Sequence, residues 1–287
     1  MRRGRVLARL LAVGGLLAAL TVPAAGASAA PTPERAPSPL AGGSGPYPAS
    51  YETVSGLPEH TVYRPDTLPS DVKLPIVAWG NGACAADGTA FETVLTEWAS
   101  HGFLVIANGW PGGSGTTNAA MLTEAVDWAI AENSRADSPY YGHIDTEKIA
   151  VMGMSCGGLE TYQVADDPRL TTTVIWNSGL IDEGDKGLLD RLHAPIAYFI
   201  GGPSDIAYPN AMDDWQRLPE GLPAFMGNLD VGHGGTYDQP NGGEFGRVGT
   251  HWLKWQLKGD EESKAEFVGE DCGLCHSDWD IQRKNLG

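Results

Sequence analysis

The chain has 287 residues and carries 36 acidic against 19 basic side chains, a formal net charge of −17 at neutral pH. A surface this acidic repels the phosphate backbone of nucleic acids and the headgroups of anionic membranes, so both are excluded as partners. The charge says nothing about which small molecule is bound.

The N-terminus reads as a targeting signal. Arg2, Arg3, Arg5 and Arg9 form a basic segment, Leu10 to Val22 an apolar one, and Ala27-Ser28-Ala29 a small-residue cleavage site. Residues 1–29 are therefore expected to be a signal peptide, since the apolar run is too short to span a bilayer comfortably. The mature protein is expected to be secreted and to have no membrane span. Residues 30–46, rich in Pro, Gly and Ser, read as a disordered leader. A single catalytic-sized domain over residues 47–270 and a Cys-containing tail over residues 271–287 follow, with no internal repeat.

Tyr51 to Leu57 and His60 to Tyr63 alternate loosely and are expected as edge strands. Leu74 to Trp79 predicts a buried strand entering the glycine-rich loop Gly80 to Cys84. Asp87 is placed to cap a helix whose apolar positions Phe91, Val94, Leu95 and Trp98 share one face, ended by Gly102. Phe103 to Ala107 reads as a strand and Asn118 to Asn133 as an amphipathic helix. The apolar run from Lys148 to Met152 is the next strand. Thr172 to Trp176, Ile196 to Ile200 and Ala224 to Asn228 complete the set, with helices near Pro209 to Arg217 and Phe245 to Leu257. Near-continuous apolar strands alternating with helices predict an α/β fold, a mostly parallel central sheet with helices on both faces. Ligands on such sheets bind beyond the carboxyl ends of the strands.

The strand ending at Met152 runs into Gly153-Met154-Ser155-Cys156-Gly157-Gly158, a Gly-x-Ser-x-Gly nucleophile elbow. Glycines two before and two after the serine let neighbouring backbone pass close to a strained turn. A serine hydroxyl needs a base held by a carboxylate, and on this kind of sheet both follow the serine on later strand-end loops. Asp205, in Gly201-Gly-Pro-Ser-Asp205, is the best acid, with Asp182 and Asp185 as alternatives. His233, in Asp230-Val-Gly-His-Gly-Gly235, is the best of the seven histidines as the base. The N–H of Cys156 is placed to donate to an oxyanion, and the second donor is expected from Asn81, or else Gly82. Trp79, Trp110, Trp176 and Tyr237 could form an apolar platform, with Trp176 and Trp110 as the substrate-binding candidates. Four cysteines in an exported chain permit two disulfides, Cys84–Cys156 and Cys272–Cys275. Cys272-Gly-Leu-Cys275-His276 also matches the c-type haem attachment pattern, but a lone match at a chain end supports the disulfide better, and three neighbouring ligands are too few for a structural zinc site.

With these residues in view the chain resembles the α/β-hydrolase superfamily. The loop Trp79-Gly-Asn-Gly82 and the segment Trp98-Ala-Ser-His-Gly-Phe-Leu-Val-Ile106 resemble its dienelactone-hydrolase/cutinase-like branch, which includes secreted polyester hydrolases and lipases. Trp176-Asn177 matches where those enzymes carry a tryptophan lining the acyl subsite, and Trp252 to Gly259 is similar to their last helix. The sequence departs from the branch at Cys156, where Met or Gln is usual, after Gly158, which lacks the usual third glycine, and in the loop after Phe199. The resemblance implies an α/β-hydrolase fold and carboxylic-ester hydrolysis through an acyl-enzyme, with Ser155, Asp205 and His233 as the triad. No cofactor or metal is expected, and the partner is a small-molecule or polymeric ester, taken by a monomer. The competing readings are a peptidase or amidase with the same triad, and a non-catalytic binding protein on the same scaffold.

Overall fold

The computed structural model describes residues 42–286; the expected signal peptide and most of the expected leader lie outside them. Among the described residues a nine-stranded sheet has the order β1-β2-β4-β3-β5-β6-β7-β8-β9. These are β1 (Ala49–Glu52), β2 (His60–Pro65), β3 (Leu74–Gly80), β4 (Leu104–Asn108), β5 (Ile144–Met154), β6 (Thr172–Trp176), β7 (Ile196–Ile200), β8 (Ala224–Asn228) and β9 (Asp280–Lys284). Strands β3 to β8 run parallel, while β1, β2 and β9 pair antiparallel at the two edges.

Alternation along β3 shows why the sheet is covered on both sides. Val77 and Trp79 point into one apolar cluster, which includes Val94, Leu95 and Trp98 of helix α1 (Glu92–Ser100) and Phe245, Val248 and Trp252 of helix α5 (Gly243–Lys258). Ile76 and Ala78 point the other way, against Leu122, Ala125 and Ala129 of helix α2 (Ala119–Ser134). A third cluster packs Tyr162 of helix α3 (Cys156–Val164) and Trp215 of helix α4 (Tyr208–Arg217) on β6, β7 and β8. Burying both faces of central strands is what the unbroken apolar runs require. Among the described residues no helix is long and apolar enough to cross a membrane.

Several boundaries differ from the sequence expectation. Residues 42–46 do not behave as a loose leader, because Ser44 N–H and Oγ both donate to the Glu97 carboxylate and Gly45 N–H donates to Ser100 Oγ. The segment beyond residue 270 is not merely a tail: β9 adds the last strand of the sheet against β8. Its Asp280-Ile-Gln-Arg-Lys284 sequence lacks an apolar run, which hid it, and charge at a sheet edge discourages further pairing. Asp87 caps no α-helix; its carboxylate accepts Thr89 N–H and Oγ1–H in a turn before α1. Helix α5 begins at Gly243, two residues before the expected Phe245, with Thr236 Oγ1 donating to Gly242 O and accepting Phe245 N–H at its start.

Candidate active site

Every strand end that bears on the site lies at the carboxyl edge of the parallel sheet. At the end of β5 the chain reverses through Ser155, whose φ of 52° and ψ of −115° are costly for a residue with a side chain. The turn closes only because its flanks are bare. A Cβ on Gly153 would stand 2.3 Å from Gly157 O, and one on Gly157 would stand 2.1 Å from Gly80 O. The turn is held from β6, since Ser155 N–H donates to Trp176 O at 2.9 Å and Ser178 Oγ donates to Ser155 O at 2.7 Å.

The loop after β7 delivers Asp205, which is 2% exposed. The loop after β8 delivers His233, and Gly232 N–H donates to Gly201 O at 2.8 Å, tying the two loops together. His233 Nδ1 lies 2.7 Å from Asp205 Oδ1, and His233 Nε2 lies 3.0 Å from Ser155 Oγ. An ionised carboxylate only accepts, so Nδ1 carries the proton and Nε2 is left to accept from the serine hydroxyl. The three side chains singled out in the sequence are thus brought into one hydrogen-bonded line, while Asp182 and Asp185 stay exposed on the loop after β6.

Cys156, the first residue of α3, is disulfide-bonded to Cys84 across 72 residues, with a Cα–Cα distance of 5.1 Å. The bridge clamps the loop after β3 to the start of α3. Ala83 and Cys84 in that loop have φ of 56° and 48°. The Asn81 side chain is fully buried: its Oδ1 accepts Trp79 Nε1–H, and its Nδ2 donates toward Ala85 O, Asp87 O and Asn108 O. Sequence reasoning valued Asn81 for its backbone N–H; its amide also joins the loops after β3 and β4. Beside it, Glu160 of α3 accepts Thr117 Oγ1–H at 2.6 Å and Asn108 Nδ2–H at 3.2 Å. Burial pushes its carboxyl above the ordinary range, against the pull of those two hydrogen bonds.

The tryptophan expectation is corrected. Trp176 is fully buried, stacks on Phe199 with ring centroids 4.6 Å apart, and packs against Trp98 and Phe245. It lines the core, because the β6 pleat turns it toward α1 and α5. Trp79 and Tyr237 are buried in the same aromatic cluster, so the expected platform is interior. Trp110 remains 38% exposed on the loop after β4. Exposed apolar side chains stand elsewhere: Ile181, Ile206 and Val231 belong to the loops after β6, β7 and β8. Their position just past strand ends was the available signal. Asn177 was also missed as a partner of Asp205, toward which its Nδ2 donates at 2.7 Å.

In the C-terminal segment Cys272 and Cys275 form the second disulfide, which leaves neither thiol free to attach haem. Among the described residues no cluster of three or more His, Cys, Asp or Glu side chains could hold a metal ion.

No curated protein matches the chain. A family model described as PET hydrolase-like matches residues 24–207, a span that includes Ser155 and Asp205 and stops short of His233. With the nine-stranded, mostly parallel sheet, this match shows that the chain belongs to the PET hydrolase-like family of α/β-hydrolases, a family of ester hydrolases.

Proposed function

We propose that the protein is a secreted serine hydrolase that cleaves carboxylic esters through an acyl-enzyme on Ser155. The observation that carries the reading is the line Ser155 Oγ, His233 Nε2, His233 Nδ1, Asp205 Oδ1, with separations of 3.0 and 2.7 Å at its two hydrogen bonds. Ser155 Oγ attacks the ester carbonyl carbon as His233 Nε2 takes its proton. Asp205 stabilises the imidazolium without itself taking the proton. The N–H groups of Cys156 and Asn81 donate to the oxyanion; Gly82 is the alternative to Asn81. His233 then protonates the departing alkoxide, and a water repeats the sequence to release the acid.

Ile181, Ile206 and Val231, exposed on the loops that also carry Asn177, Asp205 and His233, favour an ester with an apolar acyl or alkyl part. Export is supported by the basic and apolar N-terminal pattern and by two disulfides, which persist in oxidising compartments.

The test is hydrolysis of p-nitrophenyl esters from acetate to palmitate by the mature protein and by Ser155→Ala. Activity present in the first and lost in the second is expected. Equal activity in both would remove Ser155 as nucleophile, and none in either would overturn the esterase reading for these substrates.

A further inference from the structure

The carboxylate of Asp205 is satisfied on both oxygens. Oδ1 accepts His233 Nδ1–H at 2.7 Å and Ala207 N–H at 2.9 Å; Oδ2 accepts Gly201 N–H at 3.0 Å and Asn177 Nδ2–H at 2.7 Å. Two of these donors are backbone amides of Asp205's own loop. Of the other two, His233 is the base itself, from the loop after β8, and Asn177 comes from the end of β6; nothing in serine-hydrolase chemistry requires an amide at that place. The same Nδ2 lies 3.4 Å from Gly232 O, the carbonyl just before His233. Asn177 Oδ1 accepts the hydroxyl of Tyr237, four residues beyond His233. Both Asn177 and Tyr237 are buried, at 0% and 3% exposure.

We propose that Asn177 is a positioning residue for the acid–base pair, with Tyr237 as the residue that orients it; the proposal rests on the triad reading above. An amide can present either end to Asp205. A carboxylate accepts only from the Nδ2 end, and the wrong orientation would set Oδ1 against Oδ2 of Asp205. The Tyr237 hydroxyl selects the correct orientation by donating to Oδ1. Burial and the nearby Asp205 charge hold the Tyr237 phenol well above its ordinary range, so it stays protonated and keeps donating. Asn177 sits at a φ of 42°, just past β6, with its N–H donating to Phe199 O at 2.9 Å. Asparagine tolerates this left-handed backbone better than most residues. The fixed amide thus holds the loop that carries the acid and the loop that carries the base at one spacing, while drawing negative charge from Asp205.

Removing that donor loosens the hold on Asp205 and, through it, on the His233 Nδ1 proton. His233 is bonded to Asp205 from the loop after β7 and to Ser155 from the elbow, while Asp230 lies three residues before it in the chain. Asp230 is engaged by Ser204 Oγ at 2.6 Å and is left unchanged by the variants.

The experiment uses Asn177→Gly, which accepts a positive φ without strain, and Tyr237→Phe, which keeps the buried ring. The NMR signal of the His233 Nδ1 proton is recorded without substrate, and kcat and KM are measured on p-nitrophenyl butyrate. For Asn177→Gly that signal should shift and broaden relative to the wild type, because the Asp205 carboxylate is held less firmly. Its kcat should fall about tenfold or more through lost alignment, with KM within about twofold. Tyr237→Phe should shift both quantities in the same direction by less. A His233 Nδ1 proton signal unchanged in both variants, with activity lowered only in step with the folded fraction, would reduce Asn177 to a structural residue and overturn the proposal. The NMR readout needs no turnover, so failure of the esterase reading would show separately, as a wild-type protein without Ser155-dependent hydrolysis.

Discussion

The Cys84–Cys156 bridge lets stability and catalysis be perturbed at one point. Removing it with Cys84→Ala and Cys156→Ala frees a loop of 72 residues in the unfolded chain. In the chain-entropy treatment that closure is worth about 15 cal/mol/K, or roughly 4.4 kcal/mol at 25 °C. For a domain of this size each kcal/mol lowers Tm by about 2–4 °C, so a fall of roughly 10–15 °C is expected. The catalytic effect follows from which parts remain anchored. Ser155 keeps its bonds to Trp176 O and Ser178 Oγ, and the Cys156 position remains first in α3. In the loop after β3, Cys84 N–H donates to Asn81 O and Cys84 O accepts Thr117 N–H, but Ala83 and Cys84 sit at positive φ values that disfavour side-chain-bearing residues, so this loop is the strained partner of the bridge. Released from the bridge, that loop should relax and misplace one oxyanion donor. Complete loss of such a donor costs about a hundredfold or more in kcat, and partial misplacement should cost about tenfold with KM little changed. Urea unfolding with and without reductant, and kcat on p-nitrophenyl butyrate, read the two effects separately. A double variant that unfolds within about 1 kcal/mol of the wild type would refute the chain-entropy argument. One that is destabilised yet keeps full kcat would show that the Asn81 amide bonds hold the loop without the bridge.

The second bridge, Cys272–Cys275, closes a loop of only 3 residues, so Cys272→Ser with Cys275→Ser should lower stability by about 1–2 kcal/mol and leave kcat unchanged. Glu160 has a folded-state pKa raised by burial above its unfolded value. Its contribution is therefore complete below the unfolded pKa and is lost as pH rises through the folded one, at up to about 1.4 kcal/mol per pH unit in between. Glu160→Gln, whose amide can also donate to the otherwise unpartnered Asn108 Oδ1, should flatten that decline in urea unfolding measured from pH 4 upward. An unchanged slope would mean that Glu160 binds protons equally in the folded and unfolded chain, contrary to the burial argument. Trp176→Ala should cost about 3–5 kcal/mol as a core truncation and leave the chain-length preference of the folded enzyme as it was. Ile206→Ser should instead raise KM for long acyl chains by about fivefold, the equivalent of roughly 1 kcal/mol of apolar contact; equal KM across the ester series would remove Ile206 from the substrate surface.

Legibility in this chain follows how far away a residue's partners lie. The elbow could be read because its requirement is local: Gly153 and Gly157 must be bare where backbone crosses within a few residues of Ser155. Asp205 and His233 could be proposed as acid and base because each closes a short loop after an apolar strand, and parallel strands deliver such loops to one edge. Trp176 was misread for a complementary reason. Its place at the end of β6 is visible in the sequence, but the face it turns to is decided by Trp98 on α1 and Phe245 on α5, neither of which is near it in the chain. Strand β9 lacks the apolar run that marked the other strands, since it sits at an edge and gains its order from β8. Asn177 combines both situations. An asparagine after a buried strand is an ordinary turn residue until Asp205, 28 residues on, and Tyr237, 60 residues on, are placed against its two ends. The proposed triad follows from asking what each loop must do alone, whereas the positioning role proposed for Asn177 emerges only when three strand ends are set side by side. For that reason the departures of a chain from its family should be sought first among polar residues just past the strand ends, where one side chain can reach two loops.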